Sequence, residues 1–451
     1  MMSLKDVFAL FHQNYTSLHS STIENISIDT RSLKKGDLFI AIKGANFDGH
    51  AFLSAAIEKG ACAAIVDHPI DNVTIPLVVV EDTTLALGTL AQAWRKKFHS
   101  PVVALTGSCG KTTTKTILAH LLSKVAPTLS TEGTLNNAIG APLTLLKLKA
   151  SHRYAVIELG TNHVKEIDYI ANITQADIAL ITNIAPVHLE GFGTLEGIAN
   201  EKADIYRHLS KEGIALLNRD DAFFPYFQEV NKARTCFTFG INAPCDIRAS
   251  DIESTDQGYS KFTLHYGKES APIVLPLLGE YNVMNALAAA CAAYALSIPL
   301  AKVQEGLNSV TAPAKRMNHY RTQVGATLID DSYNANPKAF FAAIDFLSQQ
   351  AGQKILVAGD MGELGPEAPL FHEQVGRYAK EKKIDKLYAV GELSAHTAHG
   401  FGQQGQHFTD KKELITYLQK TIKPDDILLV KGSKSTRMGE VVEELSKSSE
   451  G

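Results

Sequence analysis

The stretch Thr106-Gly107-Ser108-Cys109-Gly110-Lys111-Thr112-Thr113 has the make-up of a phosphate cradle. It follows an apolar run over 102–105 and opens a predicted helix over 111–122. Glycines let backbone N–H groups converge on phosphate oxygens, and a helix N-terminus adds partial positive charge. In such a loop Lys111 reaches the terminal phosphates and Thr112 offers its hydroxyl to Mg²⁺. Against the pattern G-x-x-x-x-G-K-[ST], Leu105 stands where the first glycine is expected, so the turn rests on Gly107 and Gly110. A plain glycine-containing βα turn is the competing reading. Strand, turn and helix in motif order favour phosphate. Kinases, ligases, GTPases and transport ATPases all use such loops, so other residues must narrow the chemistry.

In an open parallel sheet, ligands collect beyond the carboxyl ends of the strands. Glu158 ends one apolar run and His188 follows another, over 178–184. If both strands flank the loop strand, Glu158 and His188 share a crevice with Thr112, where a carboxylate and a hydroxyl suit Mg²⁺. Alone, Glu158 reads as a cap or surface acid and His188 as a loop histidine. Lys202, on a predicted helix, reads by itself as a solvated surface lysine. Asn282 and Asn285 lie three apart at a helix start, share a face, and alone read as caps. Asp331-Ser332-Tyr333-Asn334-Ala335-Asn336-Pro337 is a polar turn after a strand, either a capped turn or a ribose or substrate contact. Gly359-Asp360-Met361-Gly362-Glu363-Leu364-Gly365 carries more glycine than a simple turn needs, which points to close backbone approach.

The elements that must hold these residues alternate in type. The first block, 1–98, has predicted strands over 37–42, 61–66 and 77–80 and helices over 50–59 and 83–97. The second, 99–312, adds strands over 102–105, 155–159, 178–184 and 214–217, an antiparallel section over 233–278, and helices over 283–296 and 301–308. The third, 313–451, has strands over 327–330, 354–358, 386–390 and 427–430. Such alternation predicts three α/β domains with largely parallel sheets.

The chain has 451 residues and a net charge of −4, which gives no global case for nucleic acid or an anionic membrane. Its five cysteines are scattered without zinc-ligand spacing and read as free thiols in a reducing compartment. The alanine-rich stretch 286–298 is too short to span a bilayer, and residues 1–11 lack a signal-peptide core. A cytoplasmic location is expected.

Taken together, these motifs resemble the Mur ligase family over essentially the whole chain. The phosphate loop resembles the family's own, which also lacks the first glycine. Matching positions imply that Lys111, Glu158, His188, Asn282, Asn285, Arg316 and Asp331 contact ATP or its magnesium. Lys202 matches a lysine that family members carboxylate, and its carbamate would hold a second Mg²⁺. This replaces the surface-lysine reading. Asp29, Thr30 and Arg31, with Lys43, Asp48, Gly49 and His50, resemble a uridine-nucleotide-binding segment. Thr134, Asn136 and Asn137 resemble the loop that meets the muramoyl portion. The 331–337 and 359–365 motifs look like the member that adds D-Ala-D-Ala, with Asn334 and Asn336 as substrate contacts. The Asp-Asn-Pro-Arg motif of the diaminopimelate-adding member is absent. Cys109 falls at a variable position, and Ala45 replaces a commoner polar residue.

The resemblance implies a central P-loop, parallel-sheet ATP-binding domain. A uridine-nucleotide-binding α/β domain precedes it, and a Rossmann-like α/β domain follows with dipeptide and ATP contacts. It implies ATP and two Mg²⁺ ions, with UDP-N-acetylmuramoyl-tripeptide and D-Ala-D-Ala as substrates. A monomer with no nucleic-acid or membrane partner is expected. The competing readings are another Mur-type or folylpolyglutamate-type ligase, and an ATP-hydrolysing regulatory module.

Overall fold

The structure is a computed structural model; it describes residues 2–14, 22–44, 47–187, 189–255 and 258–446. Three sheets follow one another along the chain. The first comprises β1 (Ile26–Ser27), β2 (Leu38–Ile40), β3 (Ala63–Val66) and β4 (Leu77–Val79), all parallel and in that order. Every residue of β3 is buried, which is why it reads as an unbroken apolar run. The helix expected over 50–59 is split into a 3₁₀ turn, Gly49–Phe52, and an α-helix, Leu53–Glu58. Asp48 caps the start of the 3₁₀ turn by accepting from the His50 N–H. An additional helix, Leu4–Leu10, starts at a reciprocal cap between Ser3 and Asp6.

The second sheet contains β5 (Val102–Thr106), β6 (Thr128–Ser130), β7 (Tyr154–Glu158), β8 (Ile178–Ile181), β9 (Ile214–Asn218), β10 (Thr235–Gly240), β11 (Ile247–Ser254), β12 (Tyr259–Tyr266) and β13 (Glu269–Leu278). Its order is β13-β12-β11-β10-β9-β8-β5-β7-β6. The chain crosses to opposite sides of β5, so a crevice opens beyond the carboxyl ends of β5, β7 and β8. The antiparallel expectation for 233–278 needs correction at its start. β10 runs parallel to β9 and to β11, and only β11, β12 and β13 pair antiparallel. The crossover helix Phe224–Val230 between β9 and β10 brings the chain back in the same direction.

The third sheet has β14 (Asn318–Arg321), β15 (Thr327–Asp331), β16 (Gln353–Gly359), β17 (Lys386–Val390), β18 (Gly405–Phe408) and β19 (Asp426–Lys431), in the order β14-β15-β19-β16-β17-β18. Only the edge strand β14 is antiparallel among the described pairs.

The first sheet shares one apolar core with a face of the second, through Leu87 and Leu90 of helix Thr83–Arg95 and residues such as Ile157 and Ile198. The other face of the second sheet packs on helices Lys111–Ser123 and Tyr281–Ala295. The latter is buried throughout 285–293, which explains its run of alanines. No helix among the described residues is long and apolar enough to cross a membrane.

Candidate active site

β5 delivers the chain into the loop at Thr106. Leu105 is fully buried and pairs with Glu158 on one side and Leu180 on the other. It is an interior strand residue with ordinary backbone, so no glycine is needed there. The two glycines that are needed stand later. Gly107 has φ 149°, and a Cβ on it would lie 1.9 Å from Thr182 Oγ1; Gly110 has φ 81°, and its Cβ would lie 2.2 Å from Asn285 Oδ1. The exit of β8 braces the loop between them. Thr182 Oγ1 and Asn183 Nδ2 donate to the Cys109 carbonyl at 2.6 and 3.1 Å, and the Cys109 N–H donates to Asn183 Oδ1 at 3.0 Å.

Behind the loop, Lys111 Nζ donates to the Gly107 carbonyl at 2.7 Å. Loss of solvent pulls its amine below the usual lysine value, and Glu158 opposes this. Thr112 Oγ1 donates to Glu158 Oε1 at 3.1 Å, and Asn136 Nδ2 donates to the same oxygen at 2.9 Å. Glu158 is 1 % exposed, and its Oε2 has no hydrogen-bond partner. A buried carboxylate oxygen without a donor is a costly arrangement. Beside a threonine hydroxyl, its oxygen chemistry fits a hard divalent cation.

The third block closes over this group. Arg316 Nη2 donates to Thr112 Oγ1 at 3.1 Å, and its guanidinium lies 4.1 Å from the centre of the Tyr333 ring. Asn336 caps helix Pro337–Ser348 by accepting from the Ala339 N–H, while its Nδ2 donates to Cys109 Sγ at 3.4 Å. Asp331 pairs with Lys431 at 2.5 Å, and Lys431 also donates to the Asn334 carbonyl, which fixes the 331–337 turn. Between the second and third blocks lies a cavity of about 1530 Å³.

The structure brings Ser108 through Thr113, Thr134, Asn136, Asn137, Glu158, Asn282, Asn285, Arg316, Asp331, Asn334 and Asn336 onto the walls of that cavity. Thr106 and Gly107 do not line it. Asn282 and Asn285 are not caps, since both sit inside helix Tyr281–Ala295. Asn282 Nδ2 donates to the Leu278 carbonyl, Asn285 Nδ2 to Asn282 Oδ1, and Thr114 Oγ1 to Asn285 Oδ1. This chain of bonds presses Asn285 against Gly110. The 359–365 loop also reaches the cavity, through Gly362, Glu363 and Leu364.

Lys202 is 1 % exposed on helix Leu195–Arg207, which rules out the solvated reading. Burial pushes its amine well below the usual lysine value, and nearby Lys111 adds to the effect. His188 lies outside the described residues. Asp29, Thr30, Arg31, Lys43, Asp48, Gly49 and His50 do not line the cavity. Asp29 and Arg31 form an exposed pair at 2.6 Å, and His50 Nδ1 bonds Asp48 Oδ1 at 2.6 Å.

Several residues near the site were not singled out from sequence. Lys115 is buried and donates to the Thr131 carbonyl at 2.8 Å, and Thr131 Oγ1 accepts the Glu158 N–H at 2.9 Å. The four-residue spacing from Lys111 was the available signal. Glu201 accepts from the N–H groups of Lys165 and Ile167 at 2.7 and 2.8 Å. Nothing local marks it as buried.

Residues 105–293 match the family model described as the Mur ligase middle domain. Residues 315–434 match the Mur ligase glutamate ligase domain, and 22–95 match the Mur ligase family catalytic domain. The UDP-N-acetylmuramoyl-tripeptide–D-alanyl-D-alanine ligase of Escherichia coli (strain K12) is 42% identical over 427 residues, spanning 94% of each chain. The crystal structure of MurF from Acinetobacter baumannii superposes with a TM-score of 0.92 at 38% identity, covering 98% of each chain. The MurF ligase of Thermotoga maritima in complex with ADP gives 0.84 at 28% identity, over 94% of this chain and 97% of that one. With three matched family domains along one chain, and a full-length relative at that identity, this protein belongs to the Mur ligase family.

Proposed function

We propose that the chain is an ATP-dependent ligase that joins D-Ala-D-Ala to UDP-N-acetylmuramoyl-tripeptide in peptidoglycan precursor synthesis. The observation that carries the reading is the junction at Thr112, where Glu158 from the second block and Arg316 from the third meet one hydroxyl. Similarity to ligases of this name along nearly the whole chain supports the choice of substrates.

In this reading the terminal carboxylate of the tripeptide attacks the γ-phosphorus of ATP, giving an acyl phosphate and ADP. The amine of D-Ala-D-Ala attacks the acyl carbon, loses a proton, and expels phosphate. No protein nucleophile is needed, so catalysis rests on positioning and charge. Lys111 and Arg316 stand where they offset charge on the phosphates. The carboxylate of Glu158 and the hydroxyl of Thr112 would hold Mg²⁺, with His188 added by the family pattern. Bound there, the ion would neutralise phosphate charge. Lys202 suits a carbamate: its burial favours the neutral amine, which is the form that adds CO₂ with loss of a proton. That carbamate would hold the second ion. Of the residues lining the cavity, Thr134, Asn136 and Asn137 would contact the muramoyl portion, and Asn334 and Asn336, with the third block, the dipeptide. Asp29, Thr30, Arg31, Lys43, Asp48, Gly49 and His50 would hold the distant uridine end of a long substrate.

A coupled ADP-release assay tests this, run with diaminopimelate and lysine tripeptide nucleotides side by side. ADP release is expected only when both the tripeptide nucleotide and D-Ala-D-Ala are present. Turnover with a single amino acid or a folate substrate would point to another ligase of the family. Turnover without either substrate would point to a regulatory ATPase.

A further inference from the structure

One histidine of the third block does not line the cavity and has both ring nitrogens committed. His372, on helix Ala368–Glu381, is 1 % exposed. Its Nδ1 lies 2.7 Å from the Ala368 carbonyl oxygen, which can only accept. Nδ1 therefore carries the proton, and Nε2 is the bare nitrogen. Nε2 accepts the Met361 N–H at 2.9 Å. The geometry thus dictates a neutral ring in one tautomer.

Met361 is the third residue of the 359–365 loop, and the next three residues line the cavity. The loop is strained there, with Glu363 at φ 61°. Other bonds fix its start: Asp360 Oδ1 accepts the Ser394 N–H at 2.7 Å, and the Asp360 carbonyl accepts the Ser433 N–H at 2.9 Å. Met361 itself is fully buried. His372 is thus the side chain that fixes the backbone just before the segment exposed to substrate.

We infer that neutral His372 is a positioning residue that latches the 359–365 loop for the dipeptide acceptor. The inference rests on the proposed function, together with the dipeptide contacts that the family resemblance assigns to the third block. A protonated ring would aim an N–H at the Met361 N–H and break the latch. The ionisable groups facing the ring are Asp360, which favours the charged form, and His396 on helix Ser394–Phe401, which opposes it. Burial, to which His396 adds, outweighs the Ala368 carbonyl and Asp360 and holds the ring below the usual histidine value, so the latch survives at neutral pH and fails as pH falls.

The test compares wild type, His372→Phe and His372→Gln by steady-state ADP release with ATP, the tripeptide nucleotide and D-Ala-D-Ala. Phenylalanine fills the space but cannot accept the Met361 N–H. It is expected to raise the KM for D-Ala-D-Ala at least tenfold, with the other two KM values within twofold. Glutamine can accept at the Nε2 position and does not titrate. It is expected to keep the dipeptide KM within threefold and to flatten the acid limb of kcat/KM for the dipeptide. An unchanged dipeptide KM in His372→Phe, or a parallel rise in all three, overturns the latch. Should that variant not fold, an acid limb in His372→Gln matching wild type overturns it equally. A wild-type enzyme indifferent to D-Ala-D-Ala overturns the proposed function and the latch together, which separates the two failures.

Discussion

Lys202 shows how far a residue's chemistry can depart from its local sequence. Its neighbours on the helix, Asn200, Glu201 and Asp204, suggest a wet surface, yet the amine is buried. In the unfolded chain a lysine binds a proton below its usual value of 10.5, whereas the buried one resists it. Unfolding therefore takes up a proton at pH values between the lowered one and 10.5, and Lys202 lowers stability by less as pH rises toward 10.5. Lys202→Met is accordingly expected to abolish most ADP release without lowering the melting temperature. Any stabilisation should be larger at pH 7 than at pH 9.5. A variant that loses activity and melting temperature together would show that Lys202 serves packing alone. For Lys202→Ala, short carboxylates such as formate or acetate are expected to restore part of the rate by standing in for the carbamate. Wild-type rates in that variant would remove the role altogether.

Among the elements, the apolar strands were legible because they are buried on both faces and read as unbroken runs. The phosphate loop was legible because its constraint is local. Gly107 and Gly110 are dictated by contacts with Thr182 and Asn285, and Leu105 needs no glycine because it is still in the strand. What sequence did not show is what long-range packing decides. The direction of β10 depends on a crossover helix, and the burial of Glu201 depends on backbone 34 and 36 residues earlier in the chain. Helix Glu166–Thr174 starts at Lys165, which has φ 69° and no side-chain cap of its own. Glu201 takes that role from another helix. Glu201→Ala leaves the Lys165 and Ile167 N–H groups without that acceptor, at about 1–3 kcal/mol for the buried Ile167 donor and less for the part-buried Lys165 one. Hydrogen exchange is expected to accelerate over 161–170 while β5 through β9 stay protected. Unchanged exchange there would mean that water or a neighbour replaces the carboxylate.

At the scale of the whole molecule, the two junctions between blocks are built from different forces. The first is apolar and continuous, since one core runs from the first sheet into the second. Gly88 lies against Tyr169, and Arg95, 6 % exposed, pairs with Asp177 at 2.9 Å. Breaking it would expose core and leave a buried guanidinium unpaired. The second junction is polar at the site, with Arg316 on Thr112 and Asn336 on Cys109, and among the described residues its apolar part is confined to Leu278 and Tyr259 against the third-block core. Such hydrogen bonds can trade their partners for ligand or solvent, which an apolar core cannot do. The third block is therefore expected to be the one that moves as a unit, about the boundary between residues 312 and 313. Trypsin has an exposed target just after it at Lys315, whose backbone is already at φ 60°. Limited digestion is expected to cut there first and release residues 316–451, while 1–315 stay together even if nicked at Lys96 or Lys97. ATP analogue with Mg²⁺ is expected to slow the first cut, because phosphates would hold Arg316 from the second-block side. Gel filtration of the digest decides the matter. If the third block still co-migrates with the rest, or the first separates from the second, the order of the two junctions is the reverse of the one argued from their chemistry.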